Sequence, residues 1–175
     1  SRSTSSLRRL VQPFILRRRK DEVLRELPAK TEITLSVPLS HEERVFYEAL
    51  RRNALETLSA DNNSGAGEKH LRILAEIMRL RRAACHPNLA DAKAGFKTSA
   101  KLELFGEVVD ELLDNGHKAL VFSQFVGHLA ILEAYLKKKN IRYQYLDGQT
   151  PLAVRQQRIE AFQSGDGDSF LISLR

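Results

Sequence analysis

Three short apolar runs in this chain of 175 residues end in side chains suited to holding a polyanion. "KALVF" leads into Ser123, Gln124 and Phe125, "YQYL" into Asp147, Gly148, Gln149 and Thr150, and "SFLI" into Ser173. Hydroxyls, carboxamides and a glycine backbone suit phosphate oxygens, and contacts of that kind position a nucleic acid without reading its sequence. Taken singly, each could be a turn or a cap. Thr150 before Pro151 reads as an N-cap with proline at the first helical position. Taken together, the three groups define a binding edge only if the fold brings the ends of the runs to one side.

The surrounding pattern predicts that it does. Ser99 opens a helix whose apolar face carries Phe105, Val108, Val109, Leu112 and Leu113, and Gly116 sits where helices commonly stop. Residues 127–139 form a second helix through Leu129, Leu132 and Leu136, and a third runs from Pro151 to about Ser164. Helices alternating with short apolar strands at this spacing predict a parallel sheet, so all three runs end on the edge where such sheets bind ligands. The predicted class is α/β: a partial parallel sheet with flanking helices over residues 99–175, with an unfinished edge.

A mainly helical region with one strand precedes it, over residues 31–98. Ile33, Leu35, Val37 and Leu39 alternate with Thr and Ser, as in a half-buried strand. Ser40 and Glu43 have capping-box spacing and predict a helix to residue 59 that buries Phe46, Ala49, Leu50 and Leu58. After a polar loop at 60–69, a second helix places Leu74, Ile77, Met78 and Ala84 inward and ends at His86 and Pro87, followed by a weak linker, "NLADAKAGFKT". Arg72, Glu76 and Arg79 read as a solvated face.

Several chemistries are missing from the sequence. A nucleotide-hydrolysing loop needs G-x-x-x-x-G-K-[ST], and "SGAGEKH" lacks both its spacing and its hydroxyl. No G-x-G-x-x-G occurs, and His41, His70, His86, His117 and His128 are scattered over caps and helix faces rather than paired for a metal. We assign no catalytic residue and no metal ligand to this chain. The lone Cys85 excludes an internal disulfide and favours a reducing, intracellular setting. No apolar run approaches membrane-spanning length, so no membrane partner is expected.

The net charge of +6 is localised. Residues 1–30 hold nine Lys or Arg against three acids, while the remaining nineteen basic and nineteen acidic residues balance. That basic segment suits a nucleic acid or an acidic protein surface. The first twenty residues share the Ser and Arg richness of a transit peptide, but the segment runs on into patterned sequence. Residue 1 therefore reads as a boundary within a longer protein.

The quoted residues also carry a family resemblance. "KALVFSQFVGHLAILEAYLKKKNIRYQYLDGQTPLAVRQQRIEAFQ" resembles motif IV and its downstream extension in the SWI/SNF-type helicase-like ATPases of helicase superfamily two. "PFILRRRKDEVLRELPAKTE" resembles the segment joining that family's two RecA-like lobes, "RLRRAACHPNL" the helical region before the second lobe, and "SAKLE" the start of that lobe. The resemblance implies a DNA-dependent ATPase that translocates on duplex DNA and remodels protein–DNA complexes. The domains are then residues 1–30, a basic interlobe segment; 31–98, a helical protrusion; and 99–175, a truncated RecA-like lobe.

ATP and magnesium belong, by this resemblance, to the intact parent, whose Walker A lysine and acidic metal site lie in the first lobe; this piece alone binds neither and hydrolyses nothing. "LISLR" is the first half of motif V. Ser123, Gln124, Gly148, Ser173 and Arg155 match positions at the DNA, with Asp147 beside Gly148. Arg17 and Arg18 match paired basic residues of the interlobe segment, with a bracing role. The implied partners are duplex DNA, the first lobe of the same polypeptide and a DNA-bound protein complex. The implied location is nuclear in a eukaryote, or cytoplasmic and nucleoid-associated in a bacterium, the source at which compact spacing and Leu, Ala and Arg richness hint. The competing reading is a non-enzymatic α/β module whose basic segment binds nucleic acid or an acidic partner.

Overall fold

The computed structural model describes residues 10–15, 30–60 and 65–174. The chain divides into two units, residues 1–36 and 37–175. In the first, the described residues include a 3-10 turn, Gln12–Phe14, with Phe14 exposed. Residues 30–40 have no regular secondary structure, and Ile33 and Leu35 are exposed. The strand expected there is not formed. Alternation supplies a strand with one apolar face, but its backbone N–H and C=O groups still require a neighbour, and none pairs with it among the described residues.

In the second unit, helix α1 is His41–Ala60. Its capping box closes as predicted: Glu43 N–H donates to Ser40 Oγ (3.2 Å), and Ser40 N–H donates to Glu43 Oε2 (2.9 Å). Leu50 and Ala54 are buried, Phe46 and Leu58 half-buried, and Ala49 is exposed. Helix α2, Ala66–Ala83, packs against α1. Leu74 and Ile77 are exposed rather than inward, because α2's apolar stripe is broader than the surface α1 offers. His86 caps the following 3-10 turn, Pro87–Leu89, its Nδ1 accepting from Asn88 N–H.

The expected weak linker is an ordered loop. Asn88 clamps Phe96 in both directions, Nδ2 donating to Phe96 O (2.8 Å) and Phe96 N–H donating to Asn88 Oδ1 (3.0 Å). Phe96 then meets the Phe46 ring edge-on at 5.6 Å. Helix α3, Ala100–Asp114, starts on Ser99, whose Oγ accepts from Leu102 N–H. Gly116 ends it in the left-handed region (φ 72°), with Gly116 N–H bonded to Leu113 O and His117 N–H to Leu112 O.

Strands β1 (Ala119–Ser123), β2 (Tyr143–Leu146) and β3 (Ser169–Ser173) form one parallel sheet in the order β1-β3-β2. β3, the last strand in sequence, is therefore central, and Leu171 is fully buried. Helix α4, Val126–Lys138, follows β1, and α5, Leu152–Gln163, follows β2. Register places Val121, Leu171 and Tyr145 on one face, where they meet Leu102 and Val109 of α3 and Leu129, Leu132 and Leu136 of α4. Phe170 points to the opposite face and packs on Phe162 of α5. Helices thus cover both faces, as the α/β pattern requires. A Cβ on Gly106 would collide with the Tyr135 hydroxyl, so glycine leaves room for that ring against α3.

Candidate nucleic-acid interface

The sheet brings the predicted polar groups to one edge. Ser123 and Ser173 are partners across β1 and β3, and Leu174 N–H donates to Ser123 O (3.0 Å). Leu146 pairs with Ile172, so the Asp147–Thr150 loop leaves the same edge, two strand spacings or roughly 10 Å from Ser123.

Ser123 is buried, and its hydroxyl is engaged in shaping the turn into α4. Its Oγ accepts from Phe125 N–H (3.2 Å) and lies 3.3 Å from both Phe125 O and His128 Nδ1. His128 is itself buried, and its Nε2 meets no partner among the described residues. Burial lowers its pKa to about 4, with the Lys101 ammonium and His86 adding to the effect. The imidazole is therefore neutral at physiological pH. The tautomer with the proton on Nδ1 donates to Ser123 Oγ and leaves Nε2 a bare lone pair, a smaller loss than a stranded N–H. Gln124, half-buried, receives a hydrogen bond from Arg81 Nη2 on its Oε1.

The loop after β2 closes on itself. Thr150 Oγ1 donates to Asp147 Oδ1 (2.9 Å) and accepts from Asp147 N–H (3.1 Å), while Gln149 N–H donates to the same carboxylate (3.0 Å). The Thr150 hydroxyl holds the Asp147 carboxyl below its ordinary pKa. Thr150 is therefore not the N-cap of α5. Pro151 takes that place, its carbonyl accepting from Arg155 N–H, because the threonine hydroxyl is already committed to Asp147. Arg155 donates through Nε to Thr150 O (2.9 Å) and through Nη2 to Asp147 O, so its guanidinium braces the loop. Gly148 is exposed in the turn. Arg17 and Arg18 lie outside the described residues.

Sequence reading passed over three residues that surround this edge, Arg81, Arg82 and Lys101. Arg81 and Arg82, at the end of α2, stand over the Phe125 ring at 5.8 and 5.9 Å. Arg81, Lys101 of α3 and His128 line one recess beside that ring, and Arg82 lines the adjoining one. The "RLRR" run was the only signal for the arginines, and charge runs usually mark a solvated face. Their place beside Gln124 depends on a contact 43 residues apart in sequence.

A parallel sheet wound by helices on both faces, with hydroxyl and carboxamide groups along its C-terminal edge, defines the second half as the start of a helicase-like lobe; residues 100–175 match the family described as "Helicase conserved C-terminal domain". Residues 1–89 match "SNF2-related domain", and the chain belongs to that family of SWI/SNF-type, superfamily-two helicase-like ATPases. It is 34% identical over 178 residues to human "SWI/SNF-related matrix-associated actin-dependent regulator of chromatin subfamily A member 1", covering 96% of this chain and 17% of that protein. It is 31% identical to "Nuclear protein STH1/NPS1" of Saccharomyces cerevisiae, covering 97% and 14%. The chain thus spans less than a fifth of the length of these relatives. Among solved structures, the "Sulfolobus solfataricus SWI2/SNF2 ATPase core in complex with dsDNA" superposes with a TM-score of 0.72 at 28% identity, over 99% of this chain and 37% of that one. The C-terminal domain of the Sulfolobus ATPase superposes with a TM-score of 0.70 at 26% identity, over 78% and 60%.

Proposed function

We propose that this chain supplies the helical protrusion (31–98) and the opening of the second RecA-like lobe (99–175) of a DNA-dependent ATPase that moves along duplex DNA and remodels protein–DNA complexes. The observation that carries the proposal is the meeting of Ser123, Gln124 and Ser173 on one sheet edge, in a fold shared with an ATPase core solved on duplex DNA. Gln124 and the exposed Gly148 loop present donors to phosphate oxygens, and Arg155 and His128 keep the two turns in shape. Such contacts are independent of base sequence, weaken with salt and let a lobe shift from one phosphate to the next.

Nucleotide chemistry does not fit the described residues. Among the described residues there is no cluster of three acidic, His or Cys side chains able to hold a metal, and no glycine-rich loop joins a strand to a helix. ATP and magnesium are accordingly assigned to the first lobe of the same polypeptide, the partner of this piece, and no step is routed through them here. A DNA-bound protein complex is the further partner, and the nucleus the location in a eukaryotic host. Measuring ATP hydrolysis by the full-length protein with and without duplex DNA tests the reading: a rate raised by DNA is expected. A rate indifferent to DNA overturns it.

A further inference from the structure

The last turn of α2 carries two arginines with no carboxylate partner among the described residues, unlike Arg72 and Arg79 on the same helix, which pair with Glu68 and Glu76. Arg81 and Arg82 instead face the turn after β1. With Lys101 and Ser123, Arg81 lines a recess of about 480 Å³, and Arg82 lines an adjoining recess that shares Gln124 and Phe125 with the first. No acidic side chain enters either one. Three exposed cations around one turn, with no acid among the lining residues, leave a local positive field that attracts an anion.

Gln124 shows how that anion would be held. A guanidinium has only donors, so the carboxamide must turn its oxygen toward Arg81. The two N–H donors of Nε2 then face away from Arg81, and no acceptor among the described residues meets them. A donor pair held at the mouth of a cationic recess matches a phosphate, which only accepts.

We infer that this paired recess binds one backbone phosphate of duplex DNA, with Arg82 and Lys101 supplying charge, Gln124 Nε2 supplying hydrogen bonds and Arg81 acting as a positioning residue that sets the Gln124 amide. The inference rests on the DNA-dependent reading above. It extends the interface beyond the sheet edge to the helical region before it, so both parts of the chain grip the same strand.

The test is binding of a fluorescent duplex by the full-length protein, followed by anisotropy across a salt series. Removing the charges in an Arg82→Gln/Lys101→Gln double variant is expected to flatten the slope of log affinity against log salt by roughly 0.9, the value for one phosphate contact, and to weaken binding about tenfold at low salt. Arg81→Gln and Gln124→Ala should each weaken binding, and the combined variant should be no weaker than the worse of the two. A role for Arg81 in bracing α2 alone would make the two losses add. An unchanged salt slope in the charge variant, or strict additivity in the Arg81–Gln124 cycle, overturns the inference. Inorganic phosphate at matched ionic strength serves as the second arm: if it raises the unfolding temperature of wild type alone while the DNA slopes stay equal, the recess serves free phosphate and the inference fails. Wild type that does not bind duplex at all sinks the DNA-dependent reading itself. Unfolding midpoints distinguish misfolding from weakened binding, and Lys101→Gln, at an exposed site in the first turn of α3, supplies a variant that leaves α2 untouched.

Discussion

His128 is 8% exposed, and burial has moved its pKa from 6.5 to about 4. Between those values the unfolded chain binds a proton that the folded chain refuses. The associated stability is therefore complete above pH 6.5 and is lost as pH falls through that window toward 4. A shift of this size corresponds to about 3 kcal/mol. His86, also lowered by burial, acts in the same direction. We predict that the melting temperature falls between pH 7 and pH 4.5, and that His128→Asn flattens the fall; melting curves across that range, unchanged in shape by the substitution, would assign the dependence elsewhere. The sequence reading placed His128 among structural histidines, and its burial agrees. Its contact with Ser123 could be anticipated from their spacing across the strand-to-helix turn only once that turn was known.

At the scale of elements, Glu43 joins two helices. Its Oε2 closes the capping box of α1 and also accepts from Ala100 N–H (3.2 Å) at the start of α3, 57 residues away. The carboxylate is buried, so removing it leaves two N–H groups without a partner, at about 1–3 kcal/mol each. Glu43→Ala is expected to destabilise the protein by about 2–4 kcal/mol, read from denaturant midpoints, whereas Glu43→Gln keeps an acceptor and loses less. Equal losses in the two variants would show that charge, rather than the acceptor, matters. The Ser40–Glu43 pair was legible because both bonds close within one helical turn. Its second duty toward α3 was not, because nothing local encodes which distant helix start will arrive there.

For the molecule as a whole, the +6 charge resides in the first thirty residues, while the rest is neutral in sum. If Arg17, Arg18 and Arg19 touch DNA, neutralising all three should weaken duplex binding by the full-length protein and reduce its salt slope by up to about 0.9 for each phosphate no longer neutralised. An unchanged slope, with the protein still folded, would assign them to bracing. The sheet edge behaves differently. On the reading proposed above, Gln124 and the Gly148 loop would add uncharged donors that set register and orientation, with the salt-dependent part of that contact coming from Arg82 and Lys101 beside Gln124.

The sequence alone determined whatever closes over a few residues: the caps at Ser40, Ser99 and Gly116, the apolar faces of α3 and α4, and the helix–strand alternation that makes the sheet parallel and aligns its polar ends. Helical and strand periods, and hydrogen bonds within one turn, are properties of spacing. Tertiary structure decided the rest. Residues 31–39 alternate correctly but form no strand, since a strand exists only with a hydrogen-bonded neighbour. Leu74 and Ile77 lie on an apolar stripe that α1 is too narrow to cover. Arg81 meets Gln124, 43 residues further on. Which side chains meet at that distance depends on how packed elements stack, and spacing along the chain holds no record of it.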